Sequence, residues 1–278
     1  MHPVMRALHA RVADRDRVDR YYAPFAIRWT GRLEEHAGRP LIVGIQGPQG
    51  SGKSTLAAAA VGAFGDVGFR AVTVSIDDFY LPHAEQCALA ERYAGNPYLL
   101  YRGYPGTHDV ALGTEVIDSL SRQKAGEETL VPVYDKSAHA GRGDRAPRRD
   151  WRRVAGPIDL LIVEGWMLGF SPVDAPLEPD LGAPNALLGA YAAWNERLDT
   201  FVHLDVRSLE TIVGWRVDAE RARRASGQTG LSDDEARDYI ERFLPAYRLY
   251  VPWLRAHPPC TDMQTVVLAE DRLPARTT

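Results

Sequence analysis

Residues 47–54 read Gly-Pro-Gln-Gly-Ser-Gly-Lys-Ser. This stretch fits the pattern G-x-x-x-x-G-K-[ST], in which glycines let backbone N–H groups converge on phosphate oxygens and the lysine supplies a mobile positive charge. The start of a following helix adds positive potential. The pattern therefore predicts a phosphate-binding loop. The candidate nucleotide-binding residues are Gly47, Gln49, Gly50, Ser51, Gly52, Lys53, Ser54 and Thr55.

The segments on either side of this loop have the character that such a loop requires. Residues 41–45 form an unbroken apolar run, which is typical of a strand buried on both faces of a parallel sheet. Residues 53–64 contain four successive alanines after Leu56, and alanine favours helix. We therefore expect a buried strand, then the loop, then a helix.

Strand-like and helix-like segments alternate along much of the chain. Further strands are predicted at residues 69–76, 158–163, 200–206 and 265–268. Helices are predicted at residues 12–36, 109–123, 209–225 and 233–250, the last opened by a capping box of Ser232 and Glu235. This order predicts an α/β fold with a doubly wound, mostly parallel sheet. Residues 171–185, rich in Pro, Gly and Asp, are predicted to form a loop.

We predict a single domain over residues 1–278, in which residues 1–40 form an N-terminal helical segment. Residues 81–153 interrupt the alternation of strands and helices, and they include a glycine-rich, basic loop at residues 136–149. An interruption of this kind on a nucleotide-binding fold indicates an inserted substrate-binding region.

The composition excludes several classes of protein. The net charge of −4 and the pI of about 6.1 do not give the basic field that a general nucleic-acid surface needs. No apolar run approaches the roughly 20 residues of a membrane span, and no signal-peptide core is evident at the N-terminus. We therefore expect a cytoplasmic protein that binds neither membranes nor nucleic acid. Cys87 and Cys260 lack metal-type spacing, which argues against a zinc site or a disulfide framework.

Acidic residues follow two of the predicted strands. Asp77 and Asp78 come after the strand at residues 69–76, and Glu164 ends the strand at residues 158–163. In an open parallel sheet, ligands bind beyond the carboxyl ends of the strands. Phosphoryl transfer needs magnesium and a base that orients the attacking hydroxyl. We assign Asp77 as the base and Ser54 with Glu164 as magnesium ligands, while Asp78 fits either the site or a structural turn.

These residues favour phosphoryl transfer to a small molecule over a nucleotide switch. Guanine-reading GTPases usually carry an Asn-Lys-x-Asp segment late in the domain, and this sequence has none. Lys53 is a catalytic candidate because its charge would reach the β- and γ-phosphates. A nucleotide-dependent regulatory ATPase stays open as an alternative of another class.

The sequence resembles a particular group of P-loop kinases. Residues 75–80, Ser-Ile-Asp-Asp-Phe-Tyr, resemble the phosphoribulokinase and uridine kinase group. Longer motifs are similar to the plant-type D-glycerate 3-kinase family, and the resemblance runs from about residue 41 to residue 254. Those motifs include residues 102–109 (RGYPGTHD), 132–137 (PVYDKS), 141–145 (GRGDR), 163–170 (VEGWMLGF) and the pair Trp215-Arg216.

The resemblance implies ATP, magnesium and the conversion of D-glycerate to 3-phosphoglycerate. It also implies a helical lid at residues 207–230, in which Arg216 would reach the transferring phosphoryl group. His139 stands where uridine kinases place a histidine that touches the nucleoside, and its role is left open. Alternatives on the same scaffold are a uridine- or pantothenate-type kinase and a kinase of another hydroxy acid or sugar.

The inserted region offers cationic groups that suit a small carboxylate acceptor. Tyr134 could instead stack on a nucleoside base, although the segment around it is basic. The candidate substrate-binding residues are Asp78, Tyr80, Arg102, His108, Tyr134, Asp135, Lys136, Arg142 and Arg145. The sequence leaves the oligomeric state open.

Overall fold

The computed structural model describes residues 1–36, 38–174 and 178–275. The strands in this part are β1 (Leu41–Gln46), β2 (Ala71–Ser75), β3 (Glu128–Val131), β4 (Tyr134–Asp135), β5 (Asp144–Arg145), β6 (Arg152–Ala155), β7 (Leu160–Gly165), β8 (Thr200–Val206) and β9 (Met263–Leu268). Five of these strands form the central sheet in the order β2-β7-β1-β8-β9, and each neighbouring pair is parallel. The predicted doubly wound, mostly parallel sheet is confirmed.

Helices cover both faces of this sheet. Their bounds are α1 (Pro3–Arg11), α2 (Arg15–Arg17), α3 (Ala23–Glu35), α4 (Lys53–Asp66), α5 (His83–Arg92), α6 (Val110–Arg122), α7 (Ala138–Gly141), α8 (Gly182–Leu188), α9 (Ala192–Asn195), α10 (Leu209–Ala225), α11 (Asp233–Glu241) and α12 (Leu244–Ala256). None of the helices in the described ranges is long and apolar enough to cross a membrane.

The central strand β1 divides the hydrophobic interior into two cores. Its residues Leu41, Val43 and Ile45 pack with the N-terminal helices and α4, whereas Ile42 packs with the core on the opposite face. Successive side chains of a strand point to opposite faces, so an all-apolar strand requires a core on each side. The second core includes side chains from α6, α9, α10, α11 and α12.

Three of the predicted elements differ from the structure. The helix predicted at residues 12–36 starts later, at Arg15, because Val12 is extended. It then runs without a gap through a π-helical turn at Val18–Tyr22 into α3. The predicted loop at residues 171–185 was wrong at its end, where α8 begins at Gly182; residues 175–177 of that prediction lie outside the described residues.

The third difference is the helix predicted at residues 233–250, which is two helices, α11 and α12. Pro245 lies in the first turn of α12 and cannot donate a backbone hydrogen bond to the preceding turn. The capping box that opens α11 is present, because Ser232 Oγ accepts from the Glu235 amide and Glu235 Oε2 accepts from the Ser232 amide. The remaining predicted strands and helices are present, with ends that match the prediction or are shifted by one or two residues.

Candidate active site

The loop between β1 and α4 has the backbone geometry of an anion cradle. Gly50 and Gly52 have φ angles of 82° and 90°, which L side chains rarely adopt. A Cβ at Gly50 would also lie 2.9 Å from the Cβ of Trp215. α4 begins at Lys53 without a side-chain cap, and the buried Ser51 hydroxyl has no hydrogen-bond partner in the described part of the chain. These unpaired donors at a helix N-terminus fit a phosphate.

The other residues of the loop are held by neighbouring elements. Gly47 lies against β8, where an added Cβ would be 2.7 Å from the Cβ of Leu204. The Tyr247 hydroxyl on α12 donates to Gln49 Oε1. Thr55 is exposed in the first turn of α4. The loop is therefore fixed on two sides, and its helix end is open.

Lys53 is buried, and its ammonium group donates to the Pro48 carbonyl at 3.0 Å. Burial lowers the pKa of Lys53, although the negative charges of Glu164 and Asp77 oppose the shift. A buried ammonium that lacks a full counter-charge gains from an anion placed beside it. Phosphate oxygens in the loop would supply that charge.

Ser54, in the first turn of α4, meets Glu164 at the end of β7. The Ser54 hydroxyl donates to Glu164 Oε1 at 2.8 Å, because β1 and β7 pair in parallel with Gln46 opposite Gly165. Magnesium takes oxygen ligands and is often held by one or two protein groups together with substrate phosphates. The two oxygens therefore fit a magnesium ion bound with a nucleotide.

Asp77 lies in a short 3₁₀ turn that follows β2, and its Oδ2 is 2.5 Å from the Lys136 ammonium. Burial raises the pKa of Asp77, but the charge and hydrogen bond of Lys136, with smaller effects of His108 and Tyr80, outweigh it. The net effect is a pKa below the ordinary value. The carboxylate is therefore ionised near neutral pH and able to accept a proton.

Asp78 is directed back to its own turn. Its Oδ2 accepts from the Ser75 amide at 3.1 Å, and Ser75 Oγ accepts from the Asp77 amide, which together form a capping box. Burial raises the pKa of Asp78 to about 6, despite the hydrogen bond from the Ser75 amide. These contacts favour the structural alternative for Asp78, since they orient the turn that carries Asp77.

An aromatic cluster lies beside Asp77. Tyr80 stacks on His108 with ring centroids 4.3 Å apart and meets the edge of Tyr134 at 5.3 Å. His108 Nδ1 is 2.8 Å from the Tyr191 hydroxyl, and burial lowers the pKa of His108 to about 3, so the ring is neutral. His108 Nε2 and the Tyr134 hydroxyl are buried without partners in the described ranges.

Two of the predicted substrate-binding arginines hold the inserted region together. The Arg102 guanidinium donates to the Gly141 carbonyl at 2.7 Å. The Arg145 guanidinium donates to the Tyr80 carbonyl at 3.0 Å and lies 3.2 Å from the Asp109 carboxylate. Their role as substrate donors stays a prediction, and these contacts give both of them a part in shaping the loop.

A cavity of about 350 Å³ opens next to Asp77. Its lining residues are Asp77, Tyr80, Tyr101, Arg102, Lys136, Ala140, Gly141, Arg142, Tyr239 and Arg242. Five of them, Asp77, Tyr80, Arg102, Lys136 and Arg142, are predicted site residues. The cavity brings the candidate base and the basic residues of the inserted region together at the edge of the sheet.

Asp135 and His139 lie outside the lining of this cavity. Asp135 Oδ1 accepts from the Ser137 hydroxyl at 2.6 Å and so holds its own turn. The His139 ring stacks on His83 with centroids 3.8 Å apart, and its Nε2 is 3.1 Å from Asp144. His139 therefore makes contacts that stabilise the loop.

Arg216 lies on α10, and its guanidinium is 2.6 Å from Glu220 Oε1. It also lies over the Tyr239 ring, 4.5 Å from the centroid. Glu220 is buried, and its second oxygen accepts from the Leu231 amide at 2.9 Å. α10 reaches the loop at Gly50 through the neighbouring Trp215. Arg216 is thus held on the helix that packs against the phosphate-binding loop.

Five lining residues of the cavity are not among the predicted site residues. Ala140 and Gly141 lie in the predicted basic loop, whereas Tyr101, Tyr239 and Arg242 lie outside it. The break between α11 and α12 places Arg242 at the cavity, and Pro245 was the sequence signal for that break. Tyr101 follows directly after the apolar pair 99–100 and carried no signal of its own.

The comparisons with known proteins agree with this geometry. No protein-family model matches the chain. Chloroplastic D-glycerate 3-kinase of Arabidopsis thaliana is 37% identical over 281 residues, which is 96% of this chain and 62% of that protein. An uncharacterized kinase of Schizosaccharomyces pombe is 36% identical over 256 residues, covering 85% of this chain and 91% of that protein. The chain thus spans less than two thirds of the Arabidopsis protein.

Among solved structures, D-glycerate 3-kinase from Cryptococcus neoformans var. grubii superposes with a TM-score of 0.79 at 28% identity. The superposition covers 92% of this chain and 97% of that chain. A phosphate-binding loop flanked by strand-end carboxylates, with a small polar cavity beside them, is the arrangement of a P-loop kinase. The described residues have this arrangement, so the chain has the fold of a P-loop kinase. It belongs to the D-glycerate 3-kinase family.

Proposed function

We propose that the chain transfers the γ-phosphoryl group of ATP to the 3-hydroxyl group of D-glycerate. One observation carries this proposal: the ionised Asp77 lines a small cavity whose other charged groups are cations. Such a cavity accepts a small anion and leaves its hydroxyl within reach of a base. The family gives the same acceptor, since D-glycerate is the substrate named for the relatives in Arabidopsis and Cryptococcus.

We further propose a role for each group around the phosphates. Residues 47–55 cradle the nucleotide, and the Lys53 ammonium exchanges the Pro48 carbonyl for phosphate oxygens. Ser54 and Glu164 would hold magnesium, which supplies neutralisation of phosphate charge when bound. Asp77 accepts the proton of the attacking hydroxyl, and Lys136 keeps its carboxylate ionised.

The proposed division of the chain follows from these roles. Residues 81–153 supply most of the acceptor cavity, while residues 207–230 form the lid whose Arg216 reaches the transferring phosphoryl group. Such closure excludes water and limits hydrolysis of ATP. We keep residues 1–278 as one domain, in which the N-terminal segment at residues 1–40 supports the sheet.

A uridine-type kinase has less support from the described contacts. His139 would have to touch the nucleoside, yet its ring is stacked on His83 and its Nε2 is 3.1 Å from Asp144. Tyr134 is buried against Tyr80, so its ring offers little free face for a base. A regulatory ATPase would not need a cationic cavity beside its base.

A thermal-shift measurement tests the acceptor directly. With Mg²⁺ and a non-hydrolysable ATP analogue present, D-glycerate should raise Tm, because a ligand that binds only the folded state stabilises it. L-glycerate and uridine are the comparison ligands. A product assay with ATP then assigns the hydroxyl by phosphorus NMR: 3-phosphoglycerate is expected. A Tm that responds to uridine and not to D-glycerate would refute the proposal.

A further inference from the structure

Some of the charged groups that line the acceptor cavity have an ion-pair or hydrogen-bond partner, and others have none among the described residues. Four cations, Arg102, Lys136, Arg142 and Arg242, face a single carboxylate, Asp77, among the described residues of the lining. Lys136 is paired with Asp77 at 2.5 Å, and Arg102 donates to backbone carbonyls of the loop. Arg142 and Arg242 make no ion pair in the described part of the chain. The cavity therefore has an excess of positive charge concentrated on two guanidinium groups.

Arg242 is the better fixed of these two. It is the residue that ends α11, and its carbonyl accepts from the Tyr104 hydroxyl at 2.5 Å. Its guanidinium lies 4.6 Å from the Tyr239 ring centroid and 5.0 Å from that of Phe243. Stacking holds the planar group in place but leaves its N–H donors unused, since no acceptor within the described ranges takes them. These are the properties of a prepared site for a carboxylate.

Arg142 approaches the same place from the inserted region. Its guanidinium lies 5.5 Å from the centroid of the Tyr101 ring, and that of Arg242 lies 5.8 Å from the same centroid. Two like charges beside one ring repel each other unless an anion is shared between them. Arg142 is exposed, so it is free to move toward an anion that Arg242 already holds.

The Tyr239 ring links this site to the lid. Arg216 lies 4.5 Å from its centroid and Arg242 lies 4.6 Å from it. The same ring therefore positions the arginine that serves the phosphoryl group and the arginine at the acceptor cavity. A short acid held at Arg242 would present its hydroxyl end toward Asp77, which lines the same cavity.

From these contacts we propose that Arg242, assisted by Arg142, binds the carboxylate of the acceptor and determines the preference for an acid over an uncharged polyol. This inference rests on the proposed function and adds the residue that selects the substrate class. Arg242 acts in binding, while Tyr239 is its positioning residue.

The test compares Arg242→Gln and Arg242→Lys with wild type on two acceptors, D-glycerate and glycerol. Glycerol keeps the hydroxyls and lacks the carboxylate. In Arg242→Gln, the KM for D-glycerate should rise by about 10- to 100-fold, while the KM for ATP and the kcat/KM for glycerol stay near wild type. Arg242→Lys keeps the charge without the fork and should fall between. Arg237→Gln, an exposed arginine on α11, is the matched control.

Each outcome has a separate meaning. If kcat/KM falls equally for D-glycerate and glycerol in Arg242→Gln and Arg242→Lys, the residue is structural and the inference is overturned. An unchanged KM for D-glycerate in Arg242→Gln overturns it as well. If wild type itself does not turn over D-glycerate, the proposed function fails first, and the inference falls with it.

Discussion

At Asp77, two opposing effects on one carboxyl group decide whether it can act as a base. Burial raises its pKa, and the Lys136 ammonium at 2.5 Å, with smaller effects of His108 and Tyr80, brings it below the ordinary value. We expect Asp77→Asn to lose about 10²- to 10⁴-fold in kcat, the usual contribution of general acid–base catalysis. Its affinity for an ATP analogue should stay near wild type, as measured by calorimetry. A fully active Asp77→Asn enzyme would remove Asp77 from the mechanism.

Lys136 gives a prediction about pH. Without its charge, only the smaller effects of His108 and Tyr80 oppose burial, so the pKa of Asp77 rises. A base works only when it is deprotonated, so activity is lost as the pH falls through that pKa. In Lys136→Gln, the acid limb of kcat/KM against pH should therefore move to higher pH. Lys124→Gln, an exposed lysine, is the control, and an acid limb that does not move contradicts the role assigned to Lys136.

Single residues of the site were predictable where a short stretch of sequence around them determines their position. The loop glycines, Lys53, Ser54, Asp77 and Glu164 follow from a short motif and from the ends of strands. The structure brings Ser54 against Glu164 and places Asp77 at the cavity, while their roles stay predictions. Tyr239 and Arg242 reach the cavity only through the packing of α11 and α12 against the inserted region. Contacts between segments so far apart along the chain leave no pattern in a single sequence.

At the level of elements, α10 carries Arg216, which we propose to reach the transferring phosphoryl group. Arg216 is paired with the buried Glu220 and stacked on Tyr239, so its position on the helix is fixed. We predict that Arg216→Lys loses about 10²- to 10³-fold in kcat, as for removal of one donor to a transition-state charge. Nucleotide affinity should change much less, which a KM for ATP measures.

A matched change on the same helix separates this effect from general damage to the lid. Arg223 is exposed on α10, and Arg223→Gln should keep kcat near wild type. Equal losses in Arg216→Lys and Arg223→Gln would mean that the helix needs its overall charge and that Arg216 has no special role.

The predicted elements were most accurate where a hydrophobic period and a capping signal agree. Helix α10 has the predicted bounds, and the Ser232 capping box opens α11. The helix predicted at residues 233–250 is two helices because Pro245 cannot continue the hydrogen bonding of the helix before it, although the apolar spacing runs on. Between α1 and the next helix Val12 is extended, and the sequence signal for this boundary is Asp14, whose carboxylate accepts from the Arg17 amide as an N-cap.

For the molecule as a whole, the N-terminal helices form part of the core that supports the phosphate-binding loop. Trp29 is fully buried and stacks on Phe25, with ring centroids 6.0 Å apart. Trp29→Ala should lower the free energy of unfolding by about 3–5 kcal/mol, from lost transfer energy and the cavity left behind. Chemical denaturation measures the change.

Ile27 on the same helix is 39% exposed and provides the matched control. Ile27→Ala should cost much less than Trp29→Ala, because little of the removed surface is buried. Similar losses in both variants, or a separate unfolding transition for the N-terminal segment, would contradict its place in the main core.

The central claim is phosphoryl transfer from ATP to D-glycerate, and one measurement tests it most directly. Magnesium-dependent release of ADP is followed with D-glycerate, L-glycerate, uridine, pantothenate and ribulose 5-phosphate as acceptors, for wild type and Lys53→Ala in parallel. We predict strong turnover with D-glycerate alone, lost in Lys53→Ala. Turnover with uridine in place of D-glycerate, or ADP release that is indifferent to every acceptor, would contradict the account.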